Sequence, residues 1–192
     1  MDSARQAASL LSPFAKKGQL LLDAGCGSGY FYHSIRAMEL DYLGVDASPG
    51  LIRIGQEEMP PFGCPAGKLM CARIEDLEGE VDHVVCLNVL SNLDNFHRPL
   101  ERLLLMTRHT LILRESIWGN PSEYLYVEDK FLDPESRLFV HVNTYNEKEL
   151  MQLGERLGFA AKKVVDHRTR GKPELVIGYP HYWTFMLFQK TK

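Results

Sequence analysis

No apolar run in this sequence approaches the ~20 residues that a bilayer-spanning helix needs. Its first residues, MDSARQAASLL, lack the basic start and long apolar stretch of a secretory signal. Together these absences lead to the expectation of a cytoplasmic protein with no membrane partner. The four cysteines, Cys26, Cys64, Cys71 and Cys86, form no CxxC pair, which argues against a disulfide scaffold and for reduced, mostly buried thiols. The seven histidines make no HxxxH or HExxH pattern, so no metal is expected. A formal net charge of −3 supplies no cationic field for a nucleic-acid backbone, and no nucleic-acid partner is expected. Neither an internal repeat nor a low-complexity tract is present.

What is present is the length and pattern of one α/β domain, expected to span residues 1–192. Residues 3–14 carry Ala7, Leu10 and Leu11 at helical spacing. Leu20, Leu21 and Leu22 then form a strand apolar on both faces, as a parallel strand covered by helices would be. The same alternation continues. Phe31, Ile35 and Met38 mark a helix, residues 42–45 a strand, and Ser48-Pro49 the capped start of a further helix that stops at Pro60-Pro61. Residues 68–74, 81–87 and 110–113 are the next strands, and Leu100, Leu103 and Leu104 line the helix before the last of these. Asn146 with Glu149 three residues on begins another helix, ended by Gly158; residues 160–166 and 183–189 close the chain as strands. Strand-helix alternation of this kind predicts a parallel sheet with helices on both faces. Residues 117–145 break the rhythm, are rich in Tyr, Phe, Asp and Pro, and read as a lid or substrate segment.

The stretch LLLDAGCGSGYF carries the chemistry. A strand running through glycines into a helix gathers backbone N–H groups and a helix N-terminus at one point, where a ligand approaches the bare backbone. Gly25, Gly27 and Gly29 are spaced GxGxG. A dinucleotide fingerprint needs another glycine where Tyr30 stands, and a phosphate-binding P-loop needs Gly-Lys-Ser/Thr. Asp23, two residues before the first glycine, would repel a pyrophosphate but suits a cation such as an ammonium beside a sulfonium. Asp46 ends the second strand, where an acidic side chain takes the ribose hydroxyls of a nucleoside. A nucleoside without a pyrophosphate, carrying positive charge, fits S-adenosylmethionine.

On these residues the chain resembles the class I S-adenosylmethionine-dependent methyltransferases. LLDAGCGSG is similar to their first motif, YLGVDAS to the acidic strand-end motif, and CARIEDL to the segment flanking adenine. VDHVVCLNVLSNL resembles the family's fourth strand with its loop, and TLILRES the fifth strand. The resemblance implies a Rossmann-like methyltransferase fold, a mostly parallel seven-stranded sheet with an antiparallel last strand. It implies S-adenosyl-L-methionine as cofactor, S-adenosyl-L-homocysteine as product, and cofactor contacts from Asp23, Gly25, Cys26, Gly27, Gly29, Asp46, Ala47, Ser48, Ile74, Glu75, Asn88 and Val89. Arg73 stands where the family often has Asp or Asn.

Methyl transfer from a sulfonium is an in-line displacement that requires a nucleophile held about 3–3.5 Å from the methyl. Substrate contacts are expected from Asn92, Arg114, Glu115, Tyr124, Tyr126, His181 and Tyr182, and a general base from His141 or Tyr145. The loop holding Arg168, Arg170 and Lys172 could meet a carboxylate or phosphate if the last strands pair antiparallel. The amino-base motif (Asp/Asn-Pro-Pro-aromatic) is missing after the fourth strand, where LNVLSNL stands, and so is a Pro-Cys pair. The expected acceptor is therefore a small molecule with an O, N or S nucleophile, acted on by a monomer or homodimer. The alternatives are a non-catalytic S-adenosylmethionine binder or assembly partner, and an NAD-dependent oxidoreductase.

Overall fold

A computed structural model describes residues 2–129 and 138–191. The chain begins with α1 (Asp2–Leu11) and β1 (Leu20–Ala24), followed by α2 (Tyr32–Ile35), β2 (Asp41–Asp46), α3 (Pro49–Glu58) and β3 (Leu69–Cys71). Next come β4 (Val81–Leu87), α4 (His97–Met106) and β5 (Thr107–Trp118). Beyond β5 lie β6 (Tyr126–Glu128), β7 (Phe139–His141), β8 (Tyr145–Asn146) and α5 (Glu147–Arg156). The last elements are β9 (Phe159–Val165), β10 (Glu174–Val176), β11 (Tyr179–His181) and β12 (Trp183–Lys190). No helix among the described residues is long and apolar enough to cross a membrane.

The main sheet runs β3-β2-β1-β4-β5-β12-β9, with β8 added against β5. β1 pairs parallel with both β2 and β4, whereas β12 is antiparallel to both β5 and β9. The sheet is therefore mostly parallel, with the last strand reversed. Strand order changes direction between β1 and β4, and in such sheets the crevice at the strands' carboxyl ends is where ligands bind.

Side chains alternate across the sheet into two cores. Leu22, Val84, Leu111 and Leu113 pack with Leu100, Leu104, Leu150 and Leu153 of α4 and α5. Leu21, Val85 and Ile112 face the other way, toward Ala7, Leu11, Ile35 and Ile52 of α1, α2 and α3. This period-2 division is why the strands read as apolar on both faces. Helix starts follow local chemistry: Ser48 Oγ accepts from Leu51 N at 3.4 Å with Pro49 in the first turn, and Asn146 Oδ1 accepts from Lys148 N and Glu149 N.

Three elements depart from the sequence expectation. The helix after the glycines tightens at Ile35 into a 3₁₀ turn (Arg36–Met38), ended by Glu39 at φ 52°. The third strand stops at Cys71, because as an edge strand it pairs only with β2 and then turns into the 3₁₀ segment Ile74–Asp76. β5 runs far past residue 113, since its polar end (Arg114, Glu115, Ser116) is fully enclosed by partners rather than facing water. Within residues 117–145, β6 and β7 form an antiparallel hairpin; residues 130–137 lie outside the described residues.

Candidate functional site

Three alternating glycines of the β1–α2 turn adopt positive φ: Gly25 at 75°, Gly27 at 56° and Gly29 at 82°. Each is glycine for its own reason. A Cβ on Gly25 would stand 2.2 Å from Val89 Cγ2, whereas one on Gly27 would meet nothing nearer than Leu51 at 3.9 Å. The backbone at Gly27 thus faces open space, and that at Gly25 is pressed by the β4 loop. Gly29 packs instead on Leu69. Gly25 N and Cys26 N both donate to Val45 O, which ties the turn to the end of β2.

Asp46, the last residue of β2, braces the same turn. Its Oδ2 accepts from Gly27 N at 2.9 Å and its Oδ1 from Ser48 N at 2.8 Å. Beside it opens a cavity of about 390 Å³ whose wall includes Gly25, Gly27, Asp46, Ala47, Ile74, Glu75, Asn88 and Val89. Sequence reasoning missed Val45, Leu51, Ala72, Arg73 and Leu93 on this wall. The apolar side chains of Leu51 and Leu93 carry no chemical signal that marks a ligand contact. Arg73 sits on the rim, 3.6 Å from Glu75.

Four residues expected at the cofactor lie off this wall: Asp23, Cys26, Gly29 and Ser48. Ser48 caps α3. Cys26 Sγ donates to Gly27 O, and burial beside Asp23 and Asp46 pushes its thiol up, so it stays protonated. Asp23 is 3 % exposed and accepts from Tyr42 Oη at 2.7 Å. Burial raises its pKa to about 7; the Tyr42 hydroxyl pulls it down and the Asp46 charge adds to the rise.

That shift has a measurable consequence. Between about pH 4 and 7 the native protein holds a proton on Asp23 that the unfolded chain has released, so stability falls as pH rises through this interval and levels above it. Asp23→Asn, which still accepts from Tyr42, should flatten that decline and raise stability at pH 8 by a few kcal/mol, on the order expected for such a shift. Urea midpoints at pH 5 and 8 test it; parallel profiles for the two proteins would refute it.

The β4 loop forms the cavity's other side. Asn88 adopts φ 61°, a left-handed conformation Asn tolerates. Its N–H donates to Arg114 O, and its carbonyl accepts from Asn92 Nδ2. Asn92, expected to touch substrate, lines this first cavity. Arg114 lines a second cavity that shares Asn88 with the first.

Other expectations are corrected. Glu115 is 0 % exposed, and its carboxylate accepts from the N–H groups of Val89, Leu90 and Ser91 and from Ser91 Oγ, leaving nothing for a substrate. Burial lifts its pKa while those four donors pull it back. Tyr145 is equally buried, donates to Leu90 O, and has its hydroxyl pushed up by burial, so it is no base. His181 is buried against Trp183, with Nδ1 3.3 Å from Tyr179 O. Tyr182 packs on Trp118, and His141 on the ring of Tyr126. Neither these two nor Tyr124 and Tyr126 line the two cavities.

Residues 2–164 match the family model described as a methyltransferase domain. No curated protein matches the chain by sequence. Among solved structures, it is similar to an S-adenosylmethionine-dependent methyltransferase from Methanosarcina mazei (17 % identity, 95 % of this chain and 97 % of that one, TM-score 0.70). Magnesium protoporphyrin IX methyltransferase from Synechocystis PCC 6803, solved with S-adenosylmethionine, is 17 % identical over 97 % of this chain and 76 % of that one, TM-score 0.66. The Burkholderia thailandensis 1,6-didemethyltoxoflavin-N1-methyltransferase, solved with 1,6-didemethyltoxoflavin and S-adenosylhomocysteine, is 17 % identical over 99 % and 79 %, TM-score 0.65. Glycine turn, strand-end carboxylate, sheet order and matched model agree: the chain belongs to the class I S-adenosylmethionine-dependent methyltransferases.

Proposed function

We propose that this protein transfers the methyl group of S-adenosylmethionine to an oxygen, nitrogen or sulfur atom of a small-molecule acceptor, the whole chain acting as one catalytic domain. The residues present fit that cofactor. The bare backbone at Gly27 opens on a cavity of suitable size for a nucleoside, and a carboxylate already fixed by two N–H groups stands at its edge.

In this reading Asp46 receives the ribose hydroxyls, Ala47, Ile74 and Glu75 flank the base, and Asn88 and Val89 close the pocket. Asp23 acts through space: its negative charge, beneath the glycine turn, favours a cationic ligand. When bound, S-adenosylmethionine supplies an electrophilic methyl on a sulfonium. The protein's own task is to exclude water and hold the acceptor in line. A thiolate or free amine needs no base, so the burial of Tyr145 is no obstacle.

The observation that carries the small-molecule reading is the second cavity, of about 350 Å³, on the far side of Asn88. That is the scale of a small ligand rather than of a duplex or polypeptide groove. The net charge of −3 also argues against a phosphate backbone. Two similar structures are of enzymes whose names give small acceptors, a protoporphyrin and a didemethyltoxoflavin. The described part of residues 117–145 is tied to the β4 loop where Asn143 donates to Ser91 O and Leu93 O, and none of its residues lines either cavity.

Incubating purified protein with S-adenosylmethionine and fractionated small-molecule extract should yield S-adenosylhomocysteine and a product heavier by one methylene. Turnover confined to added RNA or protein would overturn the proposal. Affinity for S-adenosylmethionine should also rise with pH up to about 7, as Asp23 ionises, and lose that slope in Asp23→Asn.

A further inference from the structure

Arg114 is 2 % exposed, yet its guanidinium is only partly satisfied. Nε donates to Asp166 and Nη1 to Asn88 Oδ1, while the buried Nη2 has no acceptor. Trp183 covers the group, its ring centre 4.6 Å from Cζ. Buried donors are nearly always paired, and an orphan on a charged group is among the more costly kinds, so this one calls for an explanation.

Its surroundings supply one. Arg114 lines the second cavity together with Ser3, Tyr30, Leu87, Asn88 and Arg168. Arg168 comes from the loop after β9, where its guanidinium is held by Glu174. Asp166 is fixed in turn by the N–H groups of Arg168 and Thr169. Burial and the charge of Arg168 work against the Arg114 cation, and Asp166 with the more weakly acting Glu115 only partly compensates.

We propose that the second cavity is the acceptor site and that it selects a carboxylate-bearing small molecule, anchored by the orphan Nη2 of Arg114 beside Arg168. The inference rests on the methyl-transfer reading and narrows its substrate class. A carboxylate oxygen satisfies the unpaired donor with a charge-assisted bond, which a neutral carbonyl does not form. A phosphate dianion fits worse, because Asp166 and Glu174 already balance the two arginines and a second negative charge would face them. The shared wall at Asn88 sets the anchored molecule beside the cofactor cavity.

The test uses the full chain saturated with S-adenosylhomocysteine and three phenyl probes: benzoate, its neutral isostere benzamide, and phenyl phosphate. Calorimetry and saturation-transfer NMR should find benzoate bound about tenfold or more tighter than either other probe, as a charge-assisted contact requires. Arg114→Lys keeps a cation for Asp166 but removes Nη2, and should weaken benzoate about tenfold. Arg168→Ala, at a half-exposed side chain outside the core, should weaken benzoate severalfold and leave S-adenosylhomocysteine affinity unchanged; it carries the test if Arg114→Lys fails to fold. Absence of benzoate binding, equal binding of benzamide, or indifference to Arg168→Ala overturns the carboxylate site. A parent protein that fails to bind S-adenosylhomocysteine refutes the cofactor reading instead.

Discussion

Glu115→Ala should lower the free energy of unfolding by about 3–5 kcal/mol, the range for stripping partners from several buried groups at once. The carboxylate lies at 0 % exposure and serves four donors, with Val89 N and Leu90 N on Oε1 and Ser91 N and Ser91 Oγ on Oε2. Only an ionised carboxylate can accept from four donors with no hydrogen of its own to place. Alanine leaves three backbone N–H groups orphaned under β5, where water cannot easily follow. Glu115→Gln retains the shape but turns an NH₂ toward N–H donors, and should lose about half as much. The loop so held carries Asn88 and Val89, both on the wall of the cavity proposed for the cofactor. Glu115→Gln should therefore also weaken S-adenosylhomocysteine binding while still folding. Urea denaturation and amide exchange at residues 89–91 measure both effects. Unchanged exchange in Glu115→Gln would show that the carboxylate does not organise the loop.

Glu115 also illustrates where sequence reading stops. A polar residue at the end of a parallel strand is where catalytic groups commonly stand, and its type alone suggested a substrate contact. Its actual partners lie 24 to 26 residues earlier in the chain, and nothing in the local pattern announces them. The same is true of Tyr145, an aromatic in an irregular segment whose hydroxyl is consumed by Leu90 O. Features set by nearest neighbours were legible: β4 spans Val81–Leu87 as its apolar run predicts, and α3 begins at the Ser48-Pro49 cap. The glycine turn was legible as well, because positive φ at alternate positions leaves few residue choices.

Asp23 stands between these cases. Its position two residues before Gly25 marks the turn, but its burial depends on strand register. Asp23 pairs with Gly44 of β2, and a Cβ on Gly44 would come within 2.9 Å of Tyr42 Oη and of Cys26 Sγ. The missing side chain on β2 is what lets Tyr42 reach the carboxylate. A glycine inside a strand is a visible signal of close approach. Which groups approach emerges only once β1 and β2 are set side by side.

Asp46→Ala should reduce affinity for S-adenosylmethionine and S-adenosylhomocysteine alike by roughly 100-fold or more, the loss expected when charge-assisted bonds to two hydroxyls disappear. A second effect adds to the first. Asp46 also fixes Gly27 N and Ser48 N, so the glycine turn and the start of α3 lose their common brace. Asp46→Asn separates the two contributions: the amide keeps one oxygen for Gly27 N or Ser48 N but presents an NH₂ on its other side, and its affinity should fall about tenfold. Asp41 is the matched control. It begins the same strand, pairs with Lys68 at the opposite end, and lies off the cavity wall, so Asp41→Ala should bind as the parent does. Isothermal calorimetry of the four proteins decides the matter. Asp46→Ala binding within threefold of the parent would remove the ribose contact from the proposal. A loss shared equally by Asp41→Ala would point to the net charge of the chain rather than to this carboxylate.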